Sequence, residues 1–216
     1  MKRDQEDSWT FRDLVNPDHS ALLVIDMQND YCNEKGALGK MGIDVSMVKE
    51  MAHRLVNFLT IARDRGIFII HTRNIHDSWT ESPALRWKHN NARTKIKSTA
   101  KANTWGAEWY EGHSEFQPTL NEYVISKHRY SAFINTDLDL VLRSNRIRTL
   151  IITGTATNVC VESTAREGFM LDYNIVLVKD CVASGHIDLH NATLKNIELL
   201  FGSVAVSNEI VDAWSK

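Results

Sequence analysis

Three residues of types suited to nucleophilic chemistry, Cys160, Asp26 and Lys127, stand at comparable places along the chain. Cys160 lies in Thr153-Gly154-Thr155-Ala156-Thr157-Asn158-Val159-Cys160-Val161-Glu162-Ser163. The β-branched run Arg148 to Ile152 precedes it, and Val159 to Leu171, proline-free and helically spaced, follows. The Gly/Thr/Asn cluster reads as a strand-to-helix turn, so Cys160 is expected in the first turn of a helix. There the unpaired backbone N–H groups and the positive end of the helix dipole favour a thiolate, the nucleophilic form, and offer donors to a developing oxyanion. A single cysteine in such a place also suits a small buried apolar residue, so its chemical role depends on partners.

Asp26 ends the apolar run Ser20 to Ile25, which reads as a strand. A carboxylate directly on a strand end is half-buried and needs a cation or N–H donors. Its plainer role is to cap the following loop, where Asp30 reads as a loop residue. Lys127 follows the strand Tyr123 to Ser126. In an open parallel sheet, ligands bind beyond the carboxyl ends of the strands, and the three residues occupy three such ends. Together, the ammonium and carboxylate would make each other's burial tolerable. Asp26 then takes the thiol proton, while Lys127 keeps Asp26 charged and stabilises the thiolate.

The elements that must position these groups alternate. Val48, Met51, Leu55, Leu59 and Ala62 share one face of a helix from Ser46 to Arg65, closed by Gly66, and Ile67 to Thr72 is the next strand. This strand-helix-strand unit implies a right-handed parallel crossover. Thr136-Asp137-Leu138-Asp139 opens a helix with a start resembling a capping box. Ile175 to Val178 is a strand, His190 to Phe201 a helix and Val204 to Val206 a last short strand. The expected class is α/β: a three-layer α/β/α, Rossmann-like parallel six-stranded sheet. Residues 1–18 form a polar N-terminal arm, and 19–216 a single domain with a lid insertion at about 74–117. The insertion holds Trp79, Trp87, Trp105 and Trp109, and an acid-free run with Arg86, Lys88, Arg93, Lys95, Lys97 and Lys101. Such a segment is a lid, a binding loop or an oligomer contact, and its charges are either a solvated surface or a funnel for an anionic substrate.

A net charge of -2 over 216 residues gives no global basic field, so neither nucleic acid nor a membrane is expected as a partner. No apolar run approaches the ~20 residues of a membrane span, and the N-terminus is too polar for a signal peptide, so a cytoplasmic protein is expected. Cys32, Cys160 and Cys181, odd in number and widely spaced, match neither a disulfide framework nor a metal knuckle.

Three segments, Val24 to Asp30 (VIDMQND), Lys127 with Arg129 to Phe133 (RYSAF) and Thr153 to Thr164 (TGTATNVCVEST), resemble the isochorismatase-like cysteine hydrolases. The resemblance spans about residues 18 to 210. It implies a catalytic triad of Asp26 as base, Lys127 as adjacent cation and Cys160 as nucleophile. It implies a cis peptide at Thr155-Ala156, an oxyanion hole from the N–H groups of Ala156 and Cys160, and subunits completing one another's sites in a homodimer or homotetramer. Nicotinamidases of this family carry an Asp-x-His metal site after the second strand. The matching segment here is Asn74-Ile75-His76 with no further histidine pair nearby, which speaks against a metal, and no other cofactor is implied.

True isochorismatases usually lack the nucleophilic cysteine that Cys160 supplies. Lys127 to Ser144, Ala156 to Phe169 and the basic insertion are most similar to members that cleave ureidoacrylate or carbamoyl compounds. The implied activity is a cysteine-dependent amidohydrolase that cleaves the C–N bond of a small ureido or carbamoyl compound, ureidoacrylate-, carbamoyl- or biuret-like, through a thioester. Asn74, Trp79 and Tyr130 are the expected substrate contacts, with Asn74 offering amide hydrogen bonds to a urea group. The alternatives are a nicotinamidase-type or other small-amide hydrolase, or a redox-sensing or binding module with Cys160 as an oxidisable thiol. The full set of Asp26, Lys127 and Cys160 speaks against a sensor, which needs no base.

Overall fold

The computed structural model describes residues 9–91 and 99–215. Its frame is a six-stranded sheet ordered β3-β2-β1-β4-β5-β6, with every neighbouring pair parallel. The strands are β1 Ser20–Ile25, β2 Phe68–Asn74, β3 Tyr123–Lys127, β4 Thr149–Thr155, β5 Asn174–Ala183 and β6 Ser203–Ala205. The α-helices are α1 Phe11–Leu14, α2 Asn29–Cys32, α3 Ala37–Lys40, α4 Ser46–Asp64, α5 Pro83–Asn91, α6 Leu138–Ser144, α7 Glu162–Met170, α8 Ile187–Leu200 and α9 Ser207–Trp214.

All six residues of β1 are buried, as a central parallel strand covered on both faces requires. Leu22 and Val24 pack against Val48, Leu55 and Leu59 of α4 and Trp214 of α9. Leu23 and Ile25 face the other way, toward Leu138 and Leu142 of α6, Ala165 of α7 and Ile197 of α8. Burying each such large side chain stabilises the fold by about 1.5–3 kcal/mol. The apolar face read from Ser46 to Arg65 becomes the buried face of α4, and Gly66 (φ +67°) ends it in a conformation that favours glycine.

Several local readings change. The Thr136 start is not a capping box: Asp139 instead accepts from Arg143 and Tyr173, and the Thr136 hydroxyl meets the Leu138 N–H. Strand β5 runs on through Asp180 and Cys181, and Asp180 accepts hydrogen bonds from the backbone and hydroxyl of Ser207 at the start of α9. Residues 1–8 of the expected arm lie outside the described residues. From Trp9 the chain is already docked: Val15 is fully buried and its carbonyl accepts from the Trp214 indole at 2.8 Å.

The insertion between β2 and β3 is clasped to the strand ends. Residues on either side of Lys101 bond to His76 (His76 N–H to Ala100 O and Ala102 N–H to His76 O, both 2.9 Å), and Tyr110 N–H donates to Met27 O at 2.8 Å. Asp30 is more than a loop residue, because its two oxygens accept the N–H groups of Ala37 (2.9 Å) and Ala100 (2.7 Å). Of the basic run, Arg86, Lys88 and Lys101 are exposed, whereas Arg93, Lys95 and Lys97 lie outside the described residues. None of the helices among the described residues is long and apolar enough to cross a membrane.

Candidate active site

Beyond the carboxyl ends of β1, β2 and β4 lies a cavity of about 130 Å³ whose wall includes Asp26, Asn74, Tyr130, Ala156 and Cys160. Asp26 leaves β1 at a φ of +50°, with its N–H on Thr72 O (3.1 Å) and its Oδ1 accepting the Thr72 hydroxyl (2.7 Å). Gly154, at φ +101° near the end of β4, lets the two strands meet closely here. A Cβ on it would stand 2.1 Å from Ile25 O.

Lys127 ends β3, two strands from β1, a gap of about 10 Å at ordinary strand spacing. A lysine stem can reach back across that gap. Its Nζ sits 2.7 Å from Asp26 Oδ2, with both residues fully buried, and also donates to Arg129 O at 3.1 Å. The contact is a buried ion pair. Burial alone would lower the Lys127 pKa, but the negative charge of Asp26, with Cys160 beside it, raises it overall and keeps the ammonium protonated.

Cys160 is buried, 6 % exposed, in a wide π-helical turn (Thr157–Val161) that leads into α7, in place of the ordinary first helical turn expected. The thiolate expectation is corrected. Burial pushes the Cys160 thiol up to about 12, and Asp26 adds to this against the lowering effect of Lys127. The resting group is therefore a thiol that faces a carboxylate, and a proton acceptor is needed at the moment of attack. Thr155-Ala156 is cis.

Asn74 and Tyr130 stand in the cavity wall as expected, but Trp79 does not. The residue is 95 % exposed and outside the lining, because the Asp77 carboxylate caps Trp79 N–H and Thr80 N–H in a surface turn. The polar side chains missed are those of Tyr31, His76, His89 and Thr99. Asn74 Nδ2 donates to Tyr31 OH (2.9 Å) and contacts His76 Nε2 (3.0 Å), while Tyr31 OH meets the Thr99 hydroxyl at 3.1 Å. Tyr31 carried a signal, lying five residues after Asp26 in the short helix α2 that follows it. His89 and Thr99 carried none, since they come from the aperiodic insertion. Gln28 orients Asn74 through its backbone: Oε1 accepts Asn74 N–H (2.8 Å), and Nε2 donates to Asn74 O (3.0 Å) and Ala107 O (2.8 Å).

The residues present do not suit a metal. Asn74 stands in the place of an acidic ligand, its amide already occupies His76 Nε2, and no group of three His, Cys, Asp or Glu able to hold an ion forms among the described residues.

Residues 20–209 match the isochorismatase domain family model. The chain belongs to that family. It is 36% identical over 211 residues to the ureidoacrylate amidohydrolase RutB of Acinetobacter baylyi, covering 92% of this chain and 84% of the relative. To the ureidoacrylate amidohydrolase RutB of Enterobacter sp. strain 638 it is 39% identical over 212 residues, 92% of this chain and 90% of the relative. Among solved structures it is similar to a cysteine hydrolase from Pseudomonas syringae pv. phaseolicola, with a TM-score of 0.81 and 27% identity over 93% of this chain and 94% of that one. Family and fold thus agree with the parallel sheet described above.

Proposed function

We propose that the chain is a cysteine amidohydrolase that cleaves a C–N bond of a small ureido compound, with Asp26, Lys127 and Cys160 as its catalytic residues. The observation that carries this reading is the convergence, at one small cavity, of a buried Lys127–Asp26 ion pair and the Cys160 thiol. As substrate binds, Asp26 takes the thiol proton and the sulfur attacks the carbonyl carbon. The N–H groups of Ala156 and Cys160 hold the oxyanion. The tetrahedral adduct collapses with C–N cleavage, and the departing nitrogen takes the proton from Asp26. Water then attacks the thioester as Asp26 accepts its proton, and the sulfur leaves and recovers a proton. Lys127 keeps Asp26 anionic in its buried setting and offsets charge on the sulfur.

Asn74, with its Oδ1 buried and without a partner among the described residues, is the proposed acceptor for a ureido N–H, and Tyr130 lines the mouth, 44 % exposed. A homodimer or homotetramer acting in the cytoplasm completes the proposal. Ammonia release from a panel of ureides, carbamoyl compounds and nicotinamide tests it. Turnover of ureides supports the reading, and turnover of nicotinamide alone would overturn it.

A further inference from the structure

Strand β3, which ends in Lys127, and strand β4, which leads to the Cys160 turn, have β2 and β1 between them, so no strand ladder joins the two segments. Ala132 and Phe133, just past Lys127, share one apolar cluster with Cys160, Val161 and Ala165. Apolar packing is non-directional, and by itself it leaves the segments free to slide. Apart from the catalytic side chains, the hydrogen bonding between residues 127–133 and 156–164 passes, among the described residues, through one group. That group is the hydroxyl of Thr164.

Thr164 is fully buried in α7, four residues after Cys160. Its Oγ1 donates to Cys160 O at 2.7 Å and accepts the Ala132 N–H at 3.0 Å. The directions are forced, because a carbonyl only accepts, an N–H only donates, and a hydroxyl can do one of each. A helical threonine often bonds the carbonyl four residues back. Here the same oxygen also takes a donor from another segment, and the carbonyl it holds is that of the nucleophile's own residue. On the other side, Lys127 Nζ donates to Arg129 O at 3.1 Å, three residues before Ala132. A continuous path therefore runs from the Asp26–Lys127 pair through residues 129–132 and the Thr164 hydroxyl to Cys160.

We infer that Thr164 is a positioning residue for the proposed reaction: its hydroxyl sets the register between the segment that carries Lys127 and the turn that carries Cys160, and so places the sulfur against the Asp26–Lys127 pair. Thr164 is not in the cavity wall and acts only through the residues it holds. The inference rests on the cysteine mechanism given above and adds a residue that neither the triad nor the oxyanion hole includes. Valine is close to threonine in shape but has no oxygen, so it would leave the Ala132 N–H without its acceptor and let the segments shift. A shift of about 1 Å between reacting groups costs on the order of 100-fold in rate.

The test compares Thr164→Val and Thr164→Ser with the wild type in two assays, with thermal melts to verify folding. The first measures kcat and KM for ammonia release from 3-ureidopropionate. The second measures the rate of iodoacetamide alkylation at Cys160 near neutral pH, which needs no ureide but still requires the thiol proton to leave toward Asp26. In Thr164→Val, kcat should fall about 10- to 100-fold with KM changed far less, and Cys160 should alkylate about 10-fold more slowly. Thr164→Ser keeps the hydroxyl and loses a buried methyl, so it should stay near wild type in both assays even where its melting temperature is lower. A purely structural role would give no such rescue. Where Thr164→Val does not fold, Thr164→Ala against Thr164→Ser makes the same comparison, since both lack the methyl and only serine has the hydroxyl. A folded Thr164→Val protein with wild-type kcat and alkylation, or a Thr164→Ser protein as impaired as Thr164→Val, would overturn the inference. A wild type that releases no ammonia from 3-ureidopropionate would count against the ureide reading, and the alkylation rates would still decide the role of Thr164.

Discussion

Lys127 Nζ and Asp26 Oδ2 lie 2.7 Å apart with both residues sealed from solvent, although they come from strand ends separated by an intervening strand. Each makes the other's charge tolerable, and neither would be stable alone. Lys127→Met should therefore strand a buried carboxylate and cost about 3–5 kcal/mol of stability. Asp26→Asn combined with Lys127→Met should recover a large part of that loss in urea denaturation while remaining inactive. A Lys127→Met protein as stable as wild type would show that Asp26 is not held as a buried anion.

Cys160→Ser should lose nearly all turnover yet bind a ureide with little change in Kd. The substitution weakens an interaction made in the transition state and leaves the cavity wall intact. Ammonia release and calorimetry together check this, and near-normal turnover would exclude a covalent intermediate on Cys160.

The raised pKa of Cys160 has a defined sign in stability. Burial lifts the folded thiol from an ordinary 9.0 to about 12, so the folded state favours the protonated form. This contribution is fully present below about pH 9 and is lost as pH rises from there toward about 12. The denaturation midpoint of wild type should thus fall more steeply over that window than that of Cys160→Ala. Parallel pH profiles would contradict the buried-thiol account.

Gln28→Ala should raise KM for the ureide and lower Tm. It removes the side chain that bonds both backbone groups of Asn74 and Ala107 O, and each buried group left unpaired costs about 1–3 kcal/mol. Wild-type KM in the variant would mean that Asn74 is held by the strand alone.

Exhaustive chelation should leave activity unchanged, because His76 Nε2 is occupied by the Asn74 amide and no group of three His, Cys, Asp or Glu able to hold an ion forms among the described residues. Activity lost on chelation and restored by zinc, iron or manganese would refute this.

The sequence alone determined the layered α/β class, because strands buried on both faces and an amphipathic helix such as α4 leave local hydrophobic patterns. It also placed Asp26, Lys127 and Cys160 at strand ends, where an apolar run stops at a residue it cannot absorb. Tertiary structure decided what such patterns do not encode. The helix-start reading made Cys160 a thiolate, yet desolvation depends on everything packed around the sulfur, and it outweighs Lys127. Trp79, placed at the substrate from its position in the insertion, points to solvent, whereas His89 and Thr99 reach the cavity. The path of the insertion is set by bonds from Asp30, Gln28 and His76 to residues far along the chain. Such contacts follow no period, so only the folded chain could bring His76 and His89 beside Asn74.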